Sequence, residues 1–162
     1  MRYFLAVILA ALSLSFGGSG ARATTTTGSF NVTVTIAATC TVNSATNMAF
    51  GTVGLLSANV DQTSTINVTC TNTTPYNIGL DKGLNGASVT TRQLKAGSAL
   101  INYSLYSDSG RTTNWGNTVG TDTVAATGNG SAQAYTVYGR IPPQTTPAPA
   151  SYSDTITITV TY

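Results

Sequence analysis

Few side chains in this chain are able to do acid–base or nucleophilic chemistry. There is no histidine, and all five acidic residues are aspartates. They are scattered without the paired spacing of a catalytic acid and base: Asp61, Asp81, Asp108, Asp122 and Asp154. The serines lack a nucleophile-elbow pattern and a base that would activate them. The sequence therefore argues against an enzyme and predicts no catalytic residue.

Two pairs of opposite charges are placed where they are expected to meet. Asp108 and Arg111 share a predicted loop, and Arg140 and Asp154 lie on two predicted strands. Ion pairs at surfaces and strand ends are common in folded proteins. We therefore expect both pairs to be structural rather than catalytic.

The first 23 residues have the pattern of a secretory signal peptide. Arg2 precedes an apolar run over residues 4–14, and Ala21-Arg22-Ala23 is a small-x-small cleavage site. The alternative is an uncleaved membrane anchor, but the apolar run is too short to span a bilayer comfortably. The exported chain is then expected to begin at Thr24, with no membrane insertion after cleavage.

Removal of that segment changes the charge balance. Because Arg2 and Arg22 leave with it, five basic and five acidic residues remain, and the net charge is zero. No basic cluster is left, so nucleic acid is excluded as a partner. Residues 24–162 are long enough for one domain with a core of its own.

The two cysteines, Cys40 and Cys70, belong to an exported chain, where an even count predicts a disulfide. Closing a loop of about 30 residues stabilises a fold by roughly 3.5 kcal/mol on the chain-entropy model. A metal site is the alternative, but without histidine or a nearby acid it would lack ligands. The disulfide is preferred, and no metal or cofactor is expected.

The most regular element is the segment 28–38. Phe30, Val32, Val34 and Ile36 recur at two-residue spacing with polar residues between them. Side chains of a strand alternate between faces, so one face of this strand is apolar and the other polar. Such a strand either begins its own domain or completes a sheet in another molecule by strand addition.

The rest of the chain predicts short strands joined by loops, with no amphipathic helix after the signal peptide. The predicted strands cover residues 65–71, 76–80, 91–95, 100–106, 134–140 and 154–162. In the last of these, Ile156, Ile158, Val160 and Tyr162 are expected to face inward. This gives about six strands after Cys40, whereas a complete immunoglobulin-like sandwich has seven.

At this point the residues resemble the spore coat U family, which includes subunits of archaic (Csu-type) chaperone–usher pili. The matching pieces, in chain order, are FNVTV at Phe30, CTV at Cys40, FG at Phe50, INVTCT from Ile66, Y-x-I-x-L-x-x-G from Tyr76 to Gly83, L-x-x-Y-x-L-Y-x-D-x-x-R from Leu100 to Arg111, WG at Trp115, TVYGRIP from Thr136, YSDT from Tyr152 and TVTY ending at Tyr162. One departure is Ala150, where a glycine is expected.

The resemblance implies an all-β, incomplete immunoglobulin-like β-sandwich completed by a donor strand from a neighbouring subunit. It implies a donor-strand extension at residues 24–38, carrying Phe30, Val32, Val34 and Ile36, and a pilin-like domain at 39–162 braced by Cys40–Cys70. Ile156, Ile158, Val160 and Tyr162 would form the edge of the acceptor groove. The implied function is a pilus subunit supporting surface attachment and biofilm formation, in a fibre at the cell surface.

The implied partners are copies of the chain or sister pilins, a periplasmic chaperone and an outer-membrane usher. The alternatives are a spore-coat or extracellular-matrix protein of the same fold, or a self-complete secreted sandwich that binds carbohydrate. In the last case, Trp115 and several tyrosines would offer a stacking surface: Tyr103, Tyr106, Tyr135 and Tyr138. Core and cross-strand packing is the preferred interpretation of these aromatic residues.

Overall fold

The computed structural model describes residues 20–162, so most of the predicted signal peptide, residues 1–19, lies outside the described part. The chain divides into two compact units, residues 1–34 and 35–162. Of the first unit, residues 20–34 are described, and they form neither helix nor strand. Among residues 20–162 no helix is long and apolar enough to cross a membrane.

The second unit is built from eight strands. In chain order they are β1 Cys40–Ala45, β2 Val60–Cys70, β3 Pro75–Leu80, β4 Arg92–Ala96, β5 Ala99–Tyr106, β6 Val124–Thr127, β7 Ala132–Ile141 and β8 Ile158–Thr161. They form a five-stranded sheet with the order β1-β2-β7-β5-β4 and a three-stranded sheet with the order β6-β3-β8. All pairings between these strands are antiparallel. The predicted all-β sandwich is confirmed.

Alternating apolar residues explain the long strands and the core between the two sheets. In β5, Ile101, Tyr103 and Leu105 are buried, while the residues between them are more exposed. The same period places one face of each strand toward the interior. The buried apolar residues are Leu56, Ile66, Val68, Cys70, Tyr76, Ile78, Leu80, Ile101, Tyr103, Leu105, Trp115, Val137 and Ile141.

The structure differs from the predicted strands at three places. The segment 28–38 forms no strand within the described chain, so it does not begin a sheet of its own domain, and its pairing with another molecule stays a prediction. Strand β1 and strand β6 were not predicted, because β1 is polar and exposed and β6 is a short run of small residues. Both are held by pairing with a neighbouring strand, β2 for β1 and β3 for β6, which a local pattern does not reveal.

Candidate functional site

An open groove lies within the second unit, between residues 45–56 and residues 146–158. It comprises a cavity of about 430 Å³ and an adjoining one of about 730 Å³. Met48 and Phe50 line both cavities, which joins them into one groove. Core residues form the floor of the smaller cavity: Ile66, Leu80, Tyr103, Leu105 and Val137. The groove therefore reaches down to the hydrophobic core of the sandwich, while these floor residues themselves are buried.

One wall of this groove is the chain that leads into β8. Strand β8 pairs with β3, with Ile158 opposite Leu80, and within residues 20–162 its other edge has no strand partner. Ile156, Ile158 and Val160 are half-buried and pack against the core. Tyr162 is 59% exposed, so the prediction that it faces inward is wrong. It follows the last residue of β8.

The opposite wall is β1 and the segment that follows it. Strand β1 pairs only with β2 in the described chain, with Cys40 opposite Cys70. These cysteines form a disulfide with their Cα atoms 4.1 Å apart, so the predicted disulfide is confirmed. Beyond β1, the Thr46 amide donates to the carbonyl of Thr65 at 3.0 Å. This wall is therefore attached to β2 by backbone pairing and a covalent link.

Gly139 in β7 makes room for the residues that line the groove. A side chain at this position would collide with Met48 and approach Phe50. The absence of a Cβ lets both large side chains lie directly on the sheet. Gly139 thus determines how closely Met48 and Phe50 approach strand β7.

The apolar residues of the segment 28–38 are exposed. Phe30, Val32, Val34 and Ile36 have 86, 85, 84 and 76% of their surface accessible. Isolated exposed apolar residues are ordinary, but four in a row at two-residue spacing are not. Their predicted insertion into a neighbouring subunit stays a prediction.

The Asp154 carboxylate fixes the chain just before β8. It accepts hydrogen bonds from the Tyr103 hydroxyl at 2.7 Å, the Leu84 amide at 2.9 Å and the Asn85 side-chain amide at 3.0 Å. Arg140 instead pairs with Asp61, so the predicted Arg140–Asp154 pair is wrong. Asp154 therefore acts as an acceptor that joins three segments.

A second carboxylate, that of Asp81, binds the same segment three residues further along, at Thr157. One oxygen accepts from the amides of Gly83 and Thr157, both at 2.9 Å, and the Asp81 amide donates to the Thr157 carbonyl at 3.1 Å. Burial by itself would raise the pKa of Asp81, but the hydrogen bonds from Thr157 and Gly83 hold it below its usual value. The Asp81 carboxylate thus provides the hydrogen-bond acceptor for the Thr157 amide that a neighbouring strand would otherwise provide.

The family model of the Spore Coat Protein U domain matches residues 26–159. The chain belongs to this family. It is also similar to a crystal structure of the CsuC–CsuE chaperone–tip adhesion subunit pre-assembly complex from archaic chaperone–usher Csu pili of Acinetobacter baumannii. The TM-score is 0.59 at 25% identity, over 79% of this chain and 40% of that one. The chain thus spans about two fifths of the length of that relative. No curated protein sequence matches the chain.

The aromatic residues of this spore coat U domain do not form one stacking surface. Trp115 and Tyr103 are buried in the core, and burial raises the pKa of Tyr103. Tyr135 faces inward, where its hydroxyl lies 2.6 Å from that of Tyr76. Tyr106 and Tyr138 are cross-strand neighbours in β5 and β7. The structure therefore divides the residues of the proposed carbohydrate surface among different environments.

Three charged residues of the spore coat U domain form a small ion-pair network: Asp61 on β2, Arg140 on β7 and Arg111 in the loop after β5. Asp61 pairs with Arg140 at 2.7 Å and with Arg111 at 3.4 Å. Asp108 accepts from the amides of Thr112 and Thr113, so the predicted Asp108–Arg111 pair is wrong. Within residues 20–162, no three acidic, histidine or cysteine side chains are grouped as metal ligands.

The sequence patterns gave no sign of Arg92, the one charged side chain that is fully buried among the described residues. Its guanidinium donates to the carbonyls of Asp81, Val89, Leu80 and Trp115 at 2.7 to 2.9 Å. These acceptors come from three separate segments of the spore coat U domain. No local signal distinguishes this arginine, because its acceptors are main-chain groups brought together only by folding.

Proposed function

We propose that this chain is a structural subunit of an extracellular pilus, assembled by donor-strand exchange. Its partners are further copies or sister pilins, a periplasmic chaperone and an outer-membrane usher. The observation that carries the proposal is an open groove floored by core residues, beside the edge of β8 that has no strand partner within residues 20–162, in a chain that also exposes an apolar stripe at residues 30–36. A strand from a neighbouring subunit would cover the groove and pair with the free edge.

Energetics support this arrangement. Burying the side chains of Phe30, Val32, Val34 and Ile36 contributes roughly 1.5 to 3 kcal/mol each, or about 6 to 12 kcal/mol before ordering costs. Backbone hydrogen bonds along the incoming strand add to this. Because donor segment and groove belong to the same chain, each subunit binds one neighbour and is bound by another. Such head-to-tail contacts need not close into a ring, so they generate a filament.

The proposed role does not require catalysis. The subunit passes through the periplasm and becomes part of a fibre at the cell surface, where it supports attachment and biofilm formation. The family and the similar structure, an adhesion subunit in complex with its chaperone, both support a non-enzymatic role. The signal peptide predicted at residues 1–23 supports export.

The test is electrophoresis in SDS without heating, after the chain is produced together with its chaperone and usher. We expect a ladder of multimers that collapses on boiling and disappears when residues 24–38 are deleted. Val34→Lys should shorten the ladder, because a charge would enter the apolar groove. Thr33→Lys is the matched control, since it lies on the other face of the segment. A stably folded monomer from the unmodified mature chain, without a chaperone, would contradict the proposal.

A further inference from the structure

The approach to β8 crosses from one sheet to the other without strand pairing along the way. Ser153 pairs with Lys95 of β4 through amide–carbonyl hydrogen bonds of 2.9 and 3.2 Å, and Ile158 pairs with Leu80 of β3. Within the described chain, no backbone hydrogen bond joins residues 154–156 to another strand. Yet this stretch forms part of the groove wall. Something other than a sheet must hold it in place.

Two carboxylates do this from opposite ends of the crossing. Asp154 binds Tyr103, Leu84 and Asn85, and Asp81 binds the Thr157 amide. The Asn85 side chain also donates to the carbonyl of Ser153 at 3.3 Å. The crossing is thus attached to β5 and to the loop after β3 before any other strand is present.

The loop after β3 is shaped to accept the Asp154 carboxylate. Gly83 has a φ of +76°, in the left-handed region that glycine adopts without strain. A Cβ at Gly83 would also collide with the carboxylate of Asp154. Gly83, Tyr103 and Asp154 lie far apart in the sequence and meet here.

We propose that Asp154, assisted by Asp81, is a positioning residue that holds the groove edge in the geometry that an incoming strand must pair with. This inference rests on the proposed function. Asp154, Ile156 and Ile158 all line the groove, so the position of the carboxylate sets where the apolar side chains stand. An edge that is ordered in advance spares the incoming strand the entropic cost of ordering it. Asp154 and Asp81 are therefore expected to increase the rate at which the groove captures an incoming strand.

The experiment uses the mature chain in complex with its chaperone and a fluorescent synthetic peptide of residues 24–38. Peptide capture is followed by fluorescence anisotropy, and chaperone dissociation is measured in parallel without peptide. We expect Asp154→Ala to slow capture about tenfold, the factor expected from losing hydrogen bonds to a charged group. Tyr103→Phe should slow it several-fold, because it removes one donor and keeps the ring. Asp108→Asn is the control, a carboxylate that also accepts main-chain hydrogen bonds but does not line the groove.

Several outcomes separate this inference from the proposed function. If the unmodified chain captures no peptide, both fail. If it captures peptide and the Asp154→Ala and Tyr103→Phe chains capture it at the same rate, the positioning role alone is overturned, whatever their thermal stability. If Asp154→Ala yields no soluble complex, the capture rates of Tyr103→Phe and Asp154→Asn are compared instead. Unchanged rates in these two variants overturn the positioning role. A slower rate with unchanged chaperone dissociation supports the role, since a purely structural residue would change stability alone.

Discussion

The guanidinium of Arg92 donates a hydrogen bond from Nη2 to the main-chain oxygen of Trp115, at 2.7 Å and away from solvent. Trp115 in turn donates from its indole nitrogen to the carbonyl of Ile78 in β3 at 2.8 Å. The arginine thereby joins β4 to the loop that follows β5, and the tryptophan joins that loop to the other sheet. Burial lowers the pKa of Arg92, but an arginine stays charged in a protein.

We expect Arg92→Met to lower the free energy of unfolding by about 3 to 5 kcal/mol, because two buried and two partly buried carbonyls would lose this donor. Denaturant unfolding of the purified chain measures this. Arg140→Met is the matched control: its pair with Asp61 is partly exposed, and its loss should cost under about 1 kcal/mol. Equal losses of unfolding free energy in the two variants would contradict a larger stabilising role for Arg92.

Removing the disulfide with Cys40→Ala and Cys70→Ala should destabilise the domain by roughly 3.5 kcal/mol, from the entropy of the unlinked unfolded chain. Adding reductant to the unmodified protein provides a control, because reduction and the double substitution both remove the covalent link. Denaturant midpoints in the oxidised and reduced states measure the difference. A shift below about 1 kcal/mol would contradict the chain-entropy reasoning.

Acid should weaken the fold below about pH 4. Hydrogen bonding to Arg140 lowers the pKa of Asp61, and that of Asp81 is held below its ordinary value of 3.8. A carboxyl with a depressed folded-state pKa contributes stability above its unfolded pKa, and this is lost as the pH falls through the folded value. Melting temperatures measured from pH 7 to pH 2 should therefore drop, and less so in Asp81→Asn. A flat profile down to pH 2 would contradict this.

Gly139→Ala should displace Met48 from its place against β7 in the groove wall and destabilise the chain by about 1 to 3 kcal/mol through overpacking. Gly54→Ala is the control, because a Cβ there would meet no atom within 4 Å. Denaturant unfolding gives the stability, and capture of the peptide of residues 24–38 reports on the groove. If both variants behave alike, the close packing at Gly139 has no energetic consequence.

Much of the fold could be predicted from the sequence because long strands carry their own signal. Alternation identified the core-facing sides of β2 and β3, where Ile66, Val68, Tyr76 and Ile78 are buried. Cysteine count and export predicted the disulfide without a structure. Strand β1 escaped prediction because its side chains are exposed and polar, and only pairing with β2 makes it a strand.

The sequence by itself determined the all-β class, the family and the exposed apolar stripe, since these depend on residue types and their local spacing. The tertiary structure alone decided that Asp154 contacts Tyr103 and Asn85 rather than Arg140, and that Arg92 is buried. Its acceptors are backbone carbonyls from distant segments, and main-chain groups are the same for every residue type. A sequence pattern therefore carries no information about which of them will meet one side chain in the folded protein.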